Sequence, residues 1–203
     1  KEEVEGVLSS VEGVQVFTDA AAARAEAGDC VCFTHAVLPI DGDEEQFGWL
    51  CVESRAELLA AVRYCREAVC EKLSAQGVTL VDPDATYIDP RATIGKGTVV
   101  LPGTIIRGAS VVGENCELGP NTMIRDCVVG DRTTVNASQI NESTVGSDTT
   151  VGPFAYVRPK CVVGDHCRIG DFVELKNSVL GEGTKVSQLT YVGDSDVGAR
   201  VNF

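Results

Sequence analysis

Two cationic side chains, Arg158 and Lys176, have the spacing of a candidate anion-binding site. They lie eighteen residues apart, and a coil of eighteen residues would stack them on one face with about 5 Å between their backbones. A phosphate could bind both cations at once. The alternative is a pair of surface cations neutralised by carboxylates, of which Glu174 is nearby. The spacing alone leaves these two interpretations open.

Both cations lie in stretches where bulky polar or aromatic side chains interrupt a sequence of aliphatic residues, Gly, Asp and Thr. A repetitive scaffold does not need such side chains at these places, so we expect the chemistry to be concentrated there. The stretches are residues 153–159, 171–177, 187–194 and 201–203.

A six-residue period runs through the chain from residue 83 onwards. Eleven aliphatic residues are each followed by Gly in one phase, at positions 94, 112, 118, 129, 145, 151, 163, 169, 180, 192 and 197. Six residues allow one short strand and one turn, with the aliphatic residue pointing inward and Gly, Asn or Asp taking the turn at positive φ. This pattern is typical of a parallel β-helix built from hexapeptide repeats.

The predicted fold class is therefore mainly β, with a parallel β-helix of about six to seven coils over residues 77–203. A small α/β segment and a long helix are expected before it. Ser54 and Glu57 form a capping box for a helix over 54–76, which Gly77 would end. We expect an apolar stripe on this helix, formed by Leu58, Val62, Cys65, Val69 and Leu73.

Composition excludes several functional classes. The chain has 203 residues and a net charge of −13, which disfavours binding to nucleic acid or to anionic membranes. No apolar run approaches the length of a membrane span, and the first residues do not resemble a secretory signal, so we expect a cytoplasmic protein. The nine cysteines lack the spacing of zinc or redox motifs and are interpreted as reduced thiols, with no metal site.

Three motifs follow one another in the second half of the chain: GPFAYVRP at 152–159, GDFVELK at 170–176 and LTYVGD at 189–194. In this order they resemble the bifunctional bacterial UDP-N-acetylglucosamine pyrophosphorylase/glucosamine-1-phosphate N-acetyltransferase family. The resemblance implies a left-handed β-helix, a homotrimer, and acetyl transfer from acetyl-CoA to glucosamine-1-phosphate in UDP-N-acetylglucosamine synthesis. It also implies that residues 1–53 are the end of a pyrophosphorylase domain, 54–76 a linker helix, and 77–203 an acetyltransferase domain truncated at its C-terminal end.

The resemblance also implies roles for individual residues. Arg158 and Lys176 would hold the sugar phosphate, and Tyr191 and Asn202 would contact the sugar. Glu174 would orient the general base, whose position is occupied here by Gln188. A carboxamide has no basic lone pair at neutral pH, and neither His35 nor His166 has a position from which it could replace the base.

Two further departures limit the expected activity. Most of the acetyl-CoA pocket would come from later coils, and the nucleotide-binding loop and Mg²⁺ site of the pyrophosphorylase are missing from the chain. Two hypotheses therefore stay open. The chain is either part of an acetyltransferase, inactive or weakly active alone, or a non-catalytic trimerisation or sugar-phosphate-binding module. A hexapeptide-fold carbonic anhydrase would need three metal-binding histidines, and the chain has two.

Overall fold

The structure, a computed structural model, describes residues 37–40, 48–51 and 55–203. It divides into two compact units, Lys1–Val69 and Cys70–Phe203. In the first unit, strands β1 (Val37–Ile40) and β2 (Gly48–Cys51) form an antiparallel pair that the sequence analysis did not predict. The capping residue Ser54 lies outside the described residues. The division into three domains stays a prediction.

Helix α1 (Arg55–Ala75) contains the boundary between the two units. It ends as predicted, because Gly77 takes φ 90° and the amide of Val78 donates to the carbonyl of Leu73 at 3.0 Å. The predicted apolar stripe is wrong at its first two positions, since Leu58 and Val62 are exposed. Ala61 is buried instead, at a four-residue step before Cys65, Val69 and Leu73.

The second unit is a parallel β-helix of about seven turns, which confirms the predicted fold class. A 3₁₀ turn (Pro83–Ala85) lies between its first two strands. In chain order the strands are β3 (Thr79–Leu80), β4 (Tyr87–Ile88), β5 (Thr93–Ile94), β6 (Val99–Val100), β7 (Ile105–Arg107), β8 (Val111–Val112), β9 (Glu117–Leu118), β10 (Met123–Arg125), β11 (Val128–Val129), β12 (Thr134–Val135), β13 (Gln139–Asn141), β14 (Thr144–Val145), β15 (Thr150–Val151), β16 (Tyr156–Val157), β17 (Val162–Val163), β18 (Arg168–Asp171), β19 (Glu174–Lys176), β20 (Val179–Leu180), β21 (Lys185–Gln188), β22 (Tyr191–Gly193) and β23 (Asp196–Val197).

Every third strand belongs to the same sheet, so the prism has three faces of seven parallel strands each. The first face contains β3 and every third strand up to β21, the second contains β4 to β22, and the third contains β5 to β23. One aliphatic residue from each strand points into the core. Ile140 is one of these, with no exposed surface, although no glycine follows it in the sequence.

Small hydroxyl residues at the inner corners join successive coils, a feature that the sequence analysis missed. Thr149 shows the pattern: its hydroxyl donates to the carbonyl of Gly164 at 3.0 Å and accepts from the amide of Cys167 at 3.0 Å. The same pair of hydrogen bonds to the following coil is made in other coils by Thr98, Thr133 and Thr184. These bonds satisfy backbone groups that would otherwise be buried without partners.

The prediction that Gly, Asn or Asp takes the turn at positive φ is confirmed at corners such as Gly97, Asp148 and Asn177, but most glycines that directly follow the aliphatic residue have a different role. Gly146 does not take positive φ; a Cβ there would lie 2.6 Å from the carbonyl carbon of Gly164 in the next coil. The left-handed corner conformation is instead adopted two residues further on, as at Asp148 with φ 53°. Close approach between coils therefore requires this glycine, and the turn itself tolerates other residues.

The six cysteines whose side chains are described are buried and free, as predicted: Cys65, Cys70, Cys116, Cys127, Cys161 and Cys167. Burial raises the pKa of the Cys65, Cys116, Cys127 and Cys167 thiols, which keeps them protonated and unreactive. Over the described part of the chain, no helix is both long and apolar enough to cross a membrane.

Candidate functional site

Four of the six predicted site residues lie on the second face, in three successive coils. Tyr156, Glu174 and Tyr191 are register partners on β16, β19 and β22. Arg158 follows β16 directly and Lys176 ends β19, so the two cations stack one coil apart as their spacing predicts. Their side chains are each 40% exposed, which leaves both accessible to a ligand.

Arg158 is paired with the carboxylate of the next coil. Its Nη1 donates to Glu174 Oε1 at 2.9 Å, and this hydrogen bond raises the pKa of the Arg158 guanidinium. The expected role of Glu174, orienting a general base, stays a prediction. The contact that the structure shows for the Glu174 carboxylate is the one with Arg158.

Lys176 is paired in the same way with Asp194. Lys176 Nζ donates to Asp194 Oδ2 at 2.9 Å, and Asn177 Nδ2 donates to Asp194 Oδ1 at 2.9 Å. The hydrogen bonds from Asn177 and Lys176 lower the pKa of the Asp194 carboxyl, and Asp194 raises the pKa of Lys176. Each of the two cations therefore pairs with one carboxylate, and these four side chains together carry no net charge.

Tyr191 lies beside this quartet because Gly193 leaves room for it. A Cβ on Gly193 would collide with the Tyr191 hydroxyl, so the ring folds along the face over Gly193, which is the register partner of Lys176. Tyr191 is 58% exposed. A phenol that can both donate and accept a hydrogen bond is thus placed where a ligand held by Lys176 would extend.

Gln188 and Asn202 lie on the first face. Gln188 ends β21 opposite Asp171, and Asn202 extends the same sheet by a bridge to Lys185. Both are exposed. His166 is exposed on a corner of the prism, as predicted, and His35 lies outside the described residues. The structure thus brings four predicted residues together on the second face, and it places Gln188 and Asn202 on the adjacent first face.

The column that contains Arg158 and Lys176 extends further than the sequence analysis predicted. Arg107, Arg125 and Asn141 are register partners in the three preceding coils. Arg125 Nη2 pairs with Glu142 at 2.9 Å, and Asn141 Nδ2 lies 3.4 Å from the Tyr156 hydroxyl. Stacking at one-coil intervals could have indicated this column, but the coils differ in length by one or two residues, which hides the spacing.

An exposed apolar ladder lies between Gln188 and the second-face residues. Phe154, Phe172 and Leu189 occupy the same corner of successive coils and are 58%, 59% and 77% exposed. The two phenyl rings stack with their centroids 5.3 Å apart. All three residues have positive φ, a conformation that is costly for bulky side chains. We call this set the apolar corner.

Comparison with known proteins identifies relatives of the chain. The family "Bacterial transferase hexapeptide (six repeats)" matches residues 91–126 and 142–177. The Bifunctional protein GlmU of Geobacillus sp. (strain WCH70) is 46% identical over 160 residues, which cover 79% of this chain and 34% of that protein. GlmU of Exiguobacterium sp. (strain ATCC BAA-1283 / AT1b) is 39% identical over 195 residues, 96% of this chain and 42% of that protein.

Among solved structures, the acetyltransferase domain of PglB from Neisseria gonorrhoeae FA1090 is 17% identical with a TM-score of 0.49; the match covers 90% of this chain and 86% of that one. The chain spans 34% to 42% of the length of the two curated relatives described above. The resemblance that the sequence motifs predict is confirmed by these relatives. The chain is therefore similar over most of its length to part of the bifunctional GlmU proteins, and it carries bacterial transferase hexapeptide repeats.

Proposed function

We propose that the chain is part of a glucosamine-1-phosphate N-acetyltransferase that uses acetyl-CoA in the cytoplasmic synthesis of UDP-N-acetylglucosamine. One observation carries this proposal: Arg158 and Lys176 stack on one face in successive coils, with Tyr191 beside them. The phosphate would bridge the two cations, and the sugar would extend towards Tyr191. Asn202 would add a further contact to the sugar.

The proposed enzyme works as a homotrimer with its sites in grooves between subunits. The apolar corner supports assembly, because exposed stacked aromatic rings in a chain with few aromatic residues are typical of an interaction surface. Acetyl-CoA enters as co-substrate. This chain supplies the sugar-phosphate side of the site, and Mg²⁺ is assigned only to the pyrophosphorylase reaction of the longer relatives.

Gln188 favours a second candidate, a non-catalytic sugar-phosphate-binding or trimerisation module. The nucleophile of the proposed reaction is an amine, which must lose a proton as the amide forms. Gln188 can hydrogen-bond to that amine but cannot accept its proton. Under this candidate the phosphate site persists and turnover does not.

Binding of glucosamine-1-phosphate to this chain tests what both candidates share. We expect isothermal titration to detect binding, and expect Arg158→Ala and Lys176→Ala each to weaken it by about tenfold or more, because each removes a charged hydrogen-bond donor to the phosphate. Arg168→Ala is the matched control: it removes an exposed arginine from the first face, and should leave the affinity unchanged.

If all three variants bind as the wild type does, the phosphate site is not at Arg158 and Lys176. If the wild type does not bind glucosamine-1-phosphate, the proposed substrate is wrong. Circular dichroism of each variant excludes unfolding as the cause of lost binding.

A further inference from the structure

We propose that Asp194 sets the affinity that an anion needs in order to bind at the candidate site, because it pairs with Lys176 until a ligand displaces it. The identity of the physiological ligand rests on the function proposed above. The role of Asp194 rests on the contacts of that residue alone. Asp194 belongs to none of the predicted site residues.

The Asp194 carboxylate is held in place by the preceding coil. Both of its oxygens accept hydrogen bonds, Oδ2 from Lys176 and Oδ1 from Asn177, each at 2.9 Å. The backbone amide of Asp194 also donates to the carbonyl of Lys176 at 2.9 Å. The carboxylate is therefore bound to the Lys176 ammonium group in a fixed geometry, and it takes the place that a phosphate oxygen would otherwise have.

The pair is nevertheless open to displacement. The Lys176 side chain is 40% exposed and that of Asp194 is 56% exposed, so water solvates both charges and a competing anion can reach them. Exposed ion pairs of this kind are weak. A buried ion pair at this place would exclude every anion, whereas the exposed pair of Lys176 and Asp194 excludes only those anions that bind weakly.

The consequence is discrimination between bare and sugar-linked phosphates. Inorganic phosphate must displace Asp194 using its contacts with the two cations only. A phosphorylated sugar recovers the loss through further contacts, for which Tyr191 is placed beside Lys176. Asp194 thus lowers the affinity for both ligands by the same factor, so at a low ligand concentration the weakly held inorganic phosphate is excluded while the sugar-linked phosphate still binds.

Asp194→Asn in the full chain tests this role. Asn keeps the shape, tolerates the left-handed corner conformation (φ 50°), and can still accept from Asn177. Titration with inorganic phosphate at low ionic strength should show an affinity about threefold to tenfold above the wild type, because one competing charge is gone. The affinity for glucosamine-1-phosphate should rise by a similar factor, because both ligands must displace the same carboxylate.

Asp126→Asn is the matched control. Asp126 has the same φ of 50° at the same type of corner, and its carboxylate accepts from the amide of Ala109, far along the chain from Lys176. It changes the net charge equally and should leave phosphate affinity unchanged. The double variant Asp194→Asn/Lys176→Ala should lose the gain in phosphate affinity, because the lysine that Asp194→Asn makes available is absent.

Unchanged or weaker phosphate binding by Asp194→Asn overturns the proposal, and so does an equal gain in Asp126→Asn. A gain in phosphate binding by Asp194→Asn alone supports it even if no form of the chain binds glucosamine-1-phosphate, in which case only the proposed substrate is wrong. Binding of glucosamine-1-phosphate without any effect of Asp194→Asn leaves the proposed function intact and removes the role of Asp194.

Discussion

Gln188 is the residue on which proton transfer in the proposed reaction depends. It is exposed at the end of β21, beside its register partner Asp171. The only histidine among the described residues, His166, lies at a corner between the third and first faces. Unless another group accepts the proton, the proposed acetyl transfer with Gln188 in place would rely on the fraction of substrate amine that is already neutral in solution.

Gln188→His should restore a general base. We expect kcat for acetylation of glucosamine-1-phosphate to rise tenfold or more, since general bases typically contribute about 10²–10⁴ to a rate. The measurement is the initial rate with acetyl-CoA, in a fusion that continues the chain past Phe203 with the following repeats of a GlmU relative. Gln139→His, which adds an imidazole on the second face two coils before Glu174, is the control and should have no effect.

Turnover by the wild-type fusion with no gain in Gln188→His would mean that another group accepts the proton. Absence of turnover in both forms, with glucosamine-1-phosphate still bound, would favour the non-catalytic module.

Of the side-chain partners in the site, the sequence indicated Glu174 as a carboxylate that could neutralise the stacked cations, but it did not indicate Asp194. The stacking of Arg158 on Lys176 follows from the eighteen-residue spacing, because backbone register is periodic. Glu174 pairs with the cation of the preceding coil, and so does Asp194. Rotamers decide such pairings, and acidic residues are frequent enough in this chain that several could have taken either place.

At the scale of single elements, the hydroxyl bonds at the inner corners hold neighbouring coils together. Each strand contributes only two to four residues to its sheet, so the ladder hydrogen bonds of any one strand are few. Thr149 is 1% exposed and its hydroxyl satisfies one carbonyl and one amide of the next coil. Without that hydroxyl the buried amide of Cys167 would have no partner, and the part-buried carbonyl of Gly164 would lose this hydrogen bond.

Thr149→Val should lower the free energy of unfolding by about 1–3 kcal/mol, the typical cost of leaving buried polar groups without partners. Val has nearly the same shape, so packing is retained and the loss reports the hydrogen bonds. Thr150→Val is the neighbouring control: Thr150 points outward and is exposed, and we expect a change close to zero. Urea unfolding followed by circular dichroism measures both, and equal stabilities for the two variants would contradict the role of Thr149.

The period of the sequence predicted the strands well because it records the inward aliphatic residues directly. It also predicted the turns, since Gly, Asn and Asp take positive φ at corners such as Gly97, Asn177 and Asp148. The repeat did not show why a glycine so often follows the aliphatic residue directly. At Gly146 the reason is the approach of the next coil, which depends on three-dimensional packing. The prediction of the apolar stripe was wrong in the first part of α1 for a related reason. Leu58 and Val62 have helical spacing, yet they lie on the exposed side of the helix.

At the scale of the whole molecule, two of the exposed aromatic residues lie at corner positions where the backbone conformation has a structural cost. Phe154 and Phe172 hold φ of 59° and 54° at a corner position where the preceding coils have Ala137 and Asn121. Asn adopts this conformation readily, and a phenylalanine does not. Selection for stability alone would not place solvent-exposed rings there, so we expect the apolar corner to be covered by another subunit of the proposed trimer.

Sedimentation should therefore give a mass of about 64 kDa at micromolar concentration, three times the 21.4 kDa of one chain. Phe154→Asn/Phe172→Asn should shift the mass towards that of one chain without unfolding it, because Asn relieves the backbone strain while removing the rings. His166→Asn makes the same kind of change at another corner, where φ is 57°, and should leave the trimer intact. A wild type that sediments as a monomer would contradict the trimer, whereas a trimeric double variant would show that the subunits meet at a different surface.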